Sequence, residues 1–410
     1  MHFTKESRIL PIIVLSQFAG TSLWFAGNAI ISELQVAFHL PEGSVGALTS
    51  AVQLGFISGT LVFALLTLSD RYSPSKVFFI CALAGAIANV LVYVIGQGYW
   101  SLLSLRFATG FFLAGIYPVG MKIAADWHRK GLGKALGYLV GALVVGTAFP
   151  HLIKTFLQEL PWPYVLCATS AFAIAGGLLI LVFVPDGPYH KRSPQPDIKA
   201  FFKVFQKPDF KAAATGYFGH MWELYSLWAF LPFILRSYID VHPGIDWDIS
   251  LLSFFTIGIG GLSCVAGGYF SLHYGSAKVA FVALLTSGLC CMLSPLAFYI
   301  PSAFFLLFLL IWGMAVVADS PQFSTLVSQT APQEKIGTAL TIVNCIGFAI
   351  TIVSIQLMTW LLMKMNSPYS FLLLAIGPAI GLLSIRKLLG RKQAPFTKNE
   401  VLGQLEKDRP

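Results

Sequence analysis

Charge is what this sequence has least of. Asp, Glu, Lys and Arg make up 11% of its 410 residues, against about 25% in an ordinary soluble domain. Hydrophobic residues make up 56%, and phenylalanine alone occurs 34 times. A globule in water needs charged groups to coat its surface, and there are too few here. A soluble enzyme, a disordered chain and a secreted disulfide scaffold are therefore excluded. Cysteine is scarce as well. The six (Cys81, Cys167, Cys264, Cys290, Cys291, Cys345) all fall in apolar stretches, and no pair has metal-ligand spacing. They read as small buried hydrophobes, and no metal or other cofactor is expected. Short alternations of apolar and polar residues are also missing, which excludes a transmembrane β-barrel. An integral membrane protein built of helices is what remains.

The charge-free intervals count those helices. No Asp, Glu, Lys or Arg lies between Arg8 and Glu33, Glu42 and Asp70, Lys76 and Arg106, Lys134 and Lys154, Glu159 and Asp186, or Asp248 and Lys278. The same holds from Lys278 to Asp319, Lys335 to Lys364 and Lys364 to Arg386. One crossing of the hydrocarbon core takes about 20 apolar residues. Most intervals hold one crossing. The interval after Lys278 holds two, divided at Pro301, and two further crossings each contain one charge, Arg106 or Glu223. The reading is an all-α polytopic membrane protein with twelve transmembrane helices, near 9–32, 44–68, 76–97, 99–125, 133–156, 162–185, 212–237, 248–271, 277–300, 302–327, 336–362 and 367–388. The first has a basic start like a secretory signal. It is too long for one and is interrupted by Gln17 and Asn28, so it is expected to be retained.

Orientation follows from the cations. Twenty-three of the 27 lysines and arginines fall at the termini or in even-numbered loops. Only Lys154, Arg236 and Lys364 fall in odd-numbered loops, and Arg106 lies within a helix. This bias predicts both termini in the cytoplasm. The net charge of +9 is then a topology signal, and no nucleic-acid partner is expected.

From Asp186 to Lys211 the chain turns polar and basic, dividing the helices six and six. The expected units are residues 1–185, a linker at 186–211, and 212–410 with a short cytoplasmic tail. In the linker, Phe201, Phe202 and Phe205 alternate with Lys199, Lys203 and Lys207. That suits either a short amphipathic helix on the membrane surface or a solvated tether. The two units read as diverged copies. Ser22–Ala26 answers Ser226–Phe230 at an offset of 204, Leu66–Lys76 answers Gly268–Lys278 at 202, and Pro118 answers Pro321 at 203. Three near-equal offsets in corresponding helices argue for an internal repeat.

Twelve helices in two pseudo-symmetric six-helix bundles with a central loop resemble the major facilitator superfamily. After its second helix that family carries a Gly-x-Leu-Ala-Asp-Arg-x-Gly-Arg-type loop. Here Leu66–Lys76 keeps Asp70, Arg71 and a following cation, while both glycines are missing. The second copy keeps Gly268 and Gly275 but has Leu272 and His273 at the Asp-Arg positions. Arg106 with Gly110 is similar to the family's Arg-x-x-x-Gly pattern in helix four. Gly219–Tyr225 and Ala318–Ser324 resemble a bacterial subgroup. Subfamily signatures fail: helix five reads Gly146-Thr147-Ala148-Phe149-Pro150 without the Gly-Pro pair of drug antiporters. Helices two and eight lack the arginines of nitrate porters, and helix one lacks the peptide carriers' Glu-x-x-Glu-Arg. The resemblance implies a secondary transporter that works by alternating access in the bacterial cytoplasmic (inner) membrane.

Ionisable groups inside membrane helices are costly and are functional candidates for that reason. Arg106 in helix four suits either a bidentate grip on an anionic substrate group or a fixed partnership with helix-end carbonyls or a carboxylate. Glu223 and His220, three residues apart on one face of helix seven, suit proton coupling. Carboxyl groups withdrawn from water can exchange protons near neutral pH, and an imidazole can relay them. The alternative is a static, hydrogen-bonded pair of residues. Asp319 in helix ten, beside Pro321, is expected to gate through contacts with cytoplasmic loops, as are Asp70 and Arg71, read as a conformational latch. Gln17, Thr21, Trp24 and Asn28 share one face of helix one, more polar than lipid contact allows. With Tyr225, Trp228 and Asn344 they are expected to line a substrate cavity or to glue helices together.

These residues predict a proton-coupled transporter of a small organic solute, anionic or zwitterionic because of Arg106, with uptake favoured. The expected partners are that solute, protons and the lipid bilayer, and a monomer is expected. The rivals are a proton-coupled exporter of amphipathic compounds such as drugs or siderophores, and a membrane-embedded enzyme or receptor. No convergent catalytic set and no sizeable soluble domain support the last two.

Overall fold

A computed structural model describes residues 5–41, 43–96, 98–128, 132–189, 205–332, 335–365 and 368–390. Every regular element among them is helical. Ten helical stretches are long and apolar enough to cross a membrane on their own. Helix one, in three pieces (Lys5–Thr21, Ala26–Ala29, Ile31–Phe38), and helix seven, Pro208–Val241, complete twelve crossings. Helices two and three are Ser44–Leu65 and Pro74–Ile95. Helix four comprises Tyr99–Leu113 and Tyr117–Trp127. Helices five and six are Leu132–Phe156 and Pro163–Phe183. Helices eight and nine are Ile249–Tyr274 and Ser276–Ala297. Helix ten comprises Ser302–Ala318 and Ser320–Thr330, and helix eleven is Ile336–Met365. Helix twelve starts as a 3-10 helix, Pro368–Ala375, and continues as Ile376–Ile385.

The expected spans are all present, but some ends run further. Helix one extends to Phe38 and helix seven begins at Pro208. Charge marks where hydrocarbon ends, whereas a helix persists into the interface as long as its backbone bonds close. Proline explains the interruptions of helices four and ten. Pro118 cannot donate to the Ala114 carbonyl, and helix four breaks there; Pro321 frees the Val317 carbonyl, and helix ten breaks at Asp319. The freed Val317 carbonyl accepts the Cys264 thiol at 3.3 Å. Cys264 is therefore a donor as well as a packed hydrophobe. Cys167, expected to be buried, is exposed on the outer face of helix six.

Helix backbones approach closely where glycine permits. A side chain at Gly55 of helix two would strike the Phe107 carbonyl, and one at Gly110 would strike that of Val52. Helices two and four thus pack backbone to backbone. Two seams join the halves. Helices five and eight touch along their whole depth. Tyr138 meets Tyr269 (3.3 Å between hydroxyls) at the end that carries the termini, and Gln158 donates to Asp248 (3.0 Å) at the opposite end. Midway, a Cβ on Gly141 would lie 2.9 Å from the Gly261 carbonyl, and the reverse is equally true. Helices two and eleven meet toward the end bearing the odd-numbered loops. There Gln356 donates to Ser50 at 2.9 Å, and Gly46 packs on Thr359.

At the terminal end the first half is knitted to itself. Asp70 pairs with Lys122 of helix four, Ser75 donates to the Val184 carbonyl (2.6 Å), and the Trp127 indole donates to that of Pro185 (3.0 Å). Of the linker's expected amphipathic stretch, Phe201 and Phe202 lie outside the described residues. Phe205 packs edge-on against Phe210. The tail beyond residue 390 also lies outside them.

Candidate functional site

The first buried constellation fixes the break in helix one. Residues 22–25 form a turn between two helical pieces, leaving carbonyls without helical partners. Arg106, fully buried on helix four, supplies the missing donors. Its Nη2 reaches the Trp24 carbonyl at 2.8 Å and that of Leu23 at 3.3 Å, and its Nη1 reaches Asn89 Oδ1 at 3.0 Å. Asn89 in turn donates to Thr169 and Ser170 of helix six, at 3.1 and 3.0 Å. Gly27 leaves room for the guanidinium, since a Cβ there would sit 3.2 Å from Nε. The fork is therefore committed to its own half. The expectation that Arg106 meets a substrate anion gives way to its alternative, a clamp on helix-end carbonyls. The cause is the helix-one turn, which presents two free carbonyls at the guanidinium's position.

The second constellation is its opposite in charge. Glu223 of helix seven is buried and receives three donors: Trp312 Nε1 at 2.6 Å, Ser287 Oγ at 2.9 Å and Cys291 Sγ at 3.2 Å. These come from helices nine and ten. His220 shares its helix face but turns to another partner, with Nδ1 2.8 Å from Asp319 Oδ1. The expected Glu223–His220 pairing is thus replaced by a His220–Asp319 pair. Asp319 does not face the loops, because the break at Pro321 makes it the junction between the two pieces of helix ten and turns it toward helix seven.

Between the halves, at the level of both proline breaks, lies a cavity of about 20 Å³. That is space for about one water molecule. Helices four, five, seven, ten and eleven wall it. Its polar groups are Tyr117, Tyr217, Tyr225, Ser320 and Asn344, and Tyr217 donates to Asn344 Oδ1 at 2.7 Å. No charged side chain lines it. A cluster of aromatic rings from both halves adjoins it through Tyr225 and Phe348. Trp24 stacks on Tyr225 (5.8 Å between ring centroids) and Phe348 (5.7 Å) and packs on Phe56 (4.8 Å), while Trp228 meets Tyr225 edge-on at 5.3 Å and Phe25 at 6.2 Å.

Of the expected cavity residues, Tyr225 and Asn344 line the cavity, while Trp24 and Trp228 build the aromatic cluster. Gln17 and Thr21 pack inside the first half, where the Gln17 carboxamide lies against Gly120 and the Thr21 hydroxyl donates to the Gln17 carbonyl (2.8 Å). Asn28 donates to Thr49 of helix two at 2.7 Å. The expected latch residues stay within the first half too. Asp70 holds Lys122, and Arg71 Nε donates to Thr67 Oγ1 at 3.1 Å. Thr67 adopts φ of 49°, a left-handed backbone that a β-branched residue rarely takes.

Tyr117, Tyr217 and Ser320 escaped the sequence reading. Two of them were within reach: Tyr117 and Ser320 each precede a helix-breaking proline and correspond at the repeat offset of 203. Away from the cavity, at the odd-loop end, a depression of about 720 Å³ is lined by the Glu33–Lys154 ion pair (2.7 Å), Trp162, Trp247 and Asp248.

The chain is similar to a Haemophilus influenzae protein named for metabolite transport. The identity is 31% over 133 residues, 30% of this chain and 32% of that one. It is 28% identical over 114 residues to a D-galactonate transporter of Escherichia coli, covering 27% of this chain and 26% of that one. Each alignment thus spans about a third of the relative or less. The fold matches the solved structure of the proton:xylose symporter XylE with a TM-score of 0.71 at 14% identity, over 94% of this chain and 96% of that one. The family model of the Major Facilitator Superfamily matches residues 12–355. With twelve crossings, paired proline breaks and a cavity shared by both halves, the chain belongs to the Major Facilitator Superfamily and is a multi-pass membrane transporter rather than an enzyme.

Proposed function

We propose that this protein is a proton-coupled secondary transporter that takes up a small organic solute across the bacterial cytoplasmic membrane by alternating access, with its termini in the cytoplasm. Because both halves of one chain wall the cavity, a monomer suffices. The observation that carries the reading is the contact between the cavity and the His220–Asp319 pair. Ser320, next to Asp319, lines the cavity, and the Tyr217 ring, also lining it, lies 5.9 Å from that of His220. The pair takes the coupling role first expected of Glu223. Asp319 is the junction of helix ten, so a proton that cancels its charge loosens its hold on helix seven and frees the junction to move. Solute in the cavity, one residue away, shifts the same equilibrium, which is what coupling requires. The anionic preference rested on Arg106 and loses that support.

The test is transport in proteoliposomes with labelled D-galactonate or D-xylose. With an imposed inward proton gradient the wild type accumulates one of them. Asp319→Asn loses accumulation but keeps solute exchange. Undiminished accumulation by Asp319→Asn would end the coupling assignment.

A further inference from the structure

Three nitrogen groups around the aromatic cluster are buried and have no hydrogen-bond partner among the described residues. They are the indole N–H of Trp24, the indole N–H of Trp228 and the whole carboxamide of Gln53. Each such group withdrawn from water costs roughly 1–3 kcal/mol. Their neighbours show the contrast. Asn28 has found Thr49, and Gln356 has found Ser50. Gln53 lies one turn from Thr49 and one turn from Phe56, on the face of helix two that meets Trp24. The two tryptophans are repeat counterparts, and both contact Tyr225. One donor thus comes from helix one, one from helix seven and one from helix two, around a single group of rings. The adjoining cavity is too small for any organic solute.

We infer that the aromatic cluster is the collapsed form of a solute subsite, in which Trp24 and Trp228 donate to acceptors at two points of the solute and Gln53 fixes a third. This rests on the transport reading above and extends it to a substrate class. The subsite offers three donors, one acceptor (Gln53 Oε1) and flat rings, with no anion. It suits a solute rich in hydroxyl or carboxylate oxygens with C–H faces that stack on the rings. It offers an organic cation no carboxylate and turns N–H groups toward it. Trp→Phe keeps an aromatic face while deleting the donor, together with the indole's second ring.

The experiment uses the same proteoliposomes, with D-galactonate and D-xylose as probes and tetraphenylphosphonium as the cationic control. Trp24→Phe, Trp228→Phe and Gln53→Met are each expected to raise KM for the transported oxygen-rich solute about 3- to 10-fold, with maximal rate per folded molecule near that of the wild type. Tetraphenylphosphonium is not transported. Unchanged KM in all three variants overturns the subsite while leaving coupling through Asp319 standing. Transport of tetraphenylphosphonium in place of both oxygen-rich probes overturns the substrate class. A wild type that moves none of the three probes overturns both readings. Should a variant lower the thermal midpoint, KM measured well below that midpoint decides, because KM does not depend on how much protein is folded.

Discussion

The two halves each sink one charged side chain at mid-helix with several hydrogen bonds, Arg106 in the first and Glu223 in the second, and they treat the two differently. In the first half a cation, Arg106, is spread over carbonyls and an amide that never titrate. In the second half two carboxyl groups and an imidazole, Glu223, Asp319 and His220, sit on helices seven and ten and are held by side chains instead. The counterparts are as telling. At the repeat offset, Arg106 corresponds to Leu309 and Glu223 to Ala19, both buried and apolar. Asn89, which carries Arg106, corresponds to Cys291, which bonds Glu223. A side chain on helix three thus holds the buried cation of one half, and one on helix nine the buried carboxyl of the other. The first half holds its buried cation fixed, and the coupling proposed above falls to the second.

That contrast can be broken by substitution. The largest effect is expected from Arg106→Met. Deleting the guanidinium strands the carbonyls of Leu23 and Trp24 together with Asn89, and stability in detergent should fall by about 3–5 kcal/mol. Denaturation of the purified protein measures it, and transport per folded molecule should change little. A stable Arg106→Met with altered solute selectivity would instead place the guanidinium in the transport path. Glu223→Gln should cost less, about 1–2 kcal/mol, because the amide carbonyl still accepts while the amide N–H opposes a donor. Its ratio of protons to solute should equal that of the wild type, in contrast to Asp319→Asn. A changed ratio would return the coupling role to Glu223. Smallest is Lys122→Met, which opens the Asp70 contact near the terminal end. A partly exposed pair of this kind contributes about 1 kcal/mol or less, and the readout is a small drop in thermal midpoint with intact transport.

The fold was legible because its causes are one-dimensional. Charge-free length marks a crossing, and proline marks the breaks of helices four and ten, although Pro11, Pro150, Pro232 and Pro295 sit inside continuous helices. Arg106, Glu223 and Asp319 stood out as charged residue types in apolar runs, and His220 by lying one turn from Glu223. Their partners did not. His220 and Glu223 share a helix face, and only the break at Pro321 swings Asp319 across to take the imidazole. The Arg106 fork was spent on backbone carbonyls, which carry no mark in a sequence. Tyr217 and Gln53 are ordinary residues in their helices, and only three-dimensional packing shows one at a cavity and the other without a partner.

Gly141 and Gly261 give the seam between helices five and eight a further meaning. With no side chain on either, the two backbones rest directly on each other at mid-depth, each glycine's missing Cβ leaving the space the other's carbonyl fills. Since these helices belong to different halves, a single methyl group here would act as a wedge under the entire second bundle. An ångström gained at that fulcrum would tilt a body of six helices and spread to its far rim. Two glycines with no chemistry of their own therefore set the tolerance to which the whole machine is built.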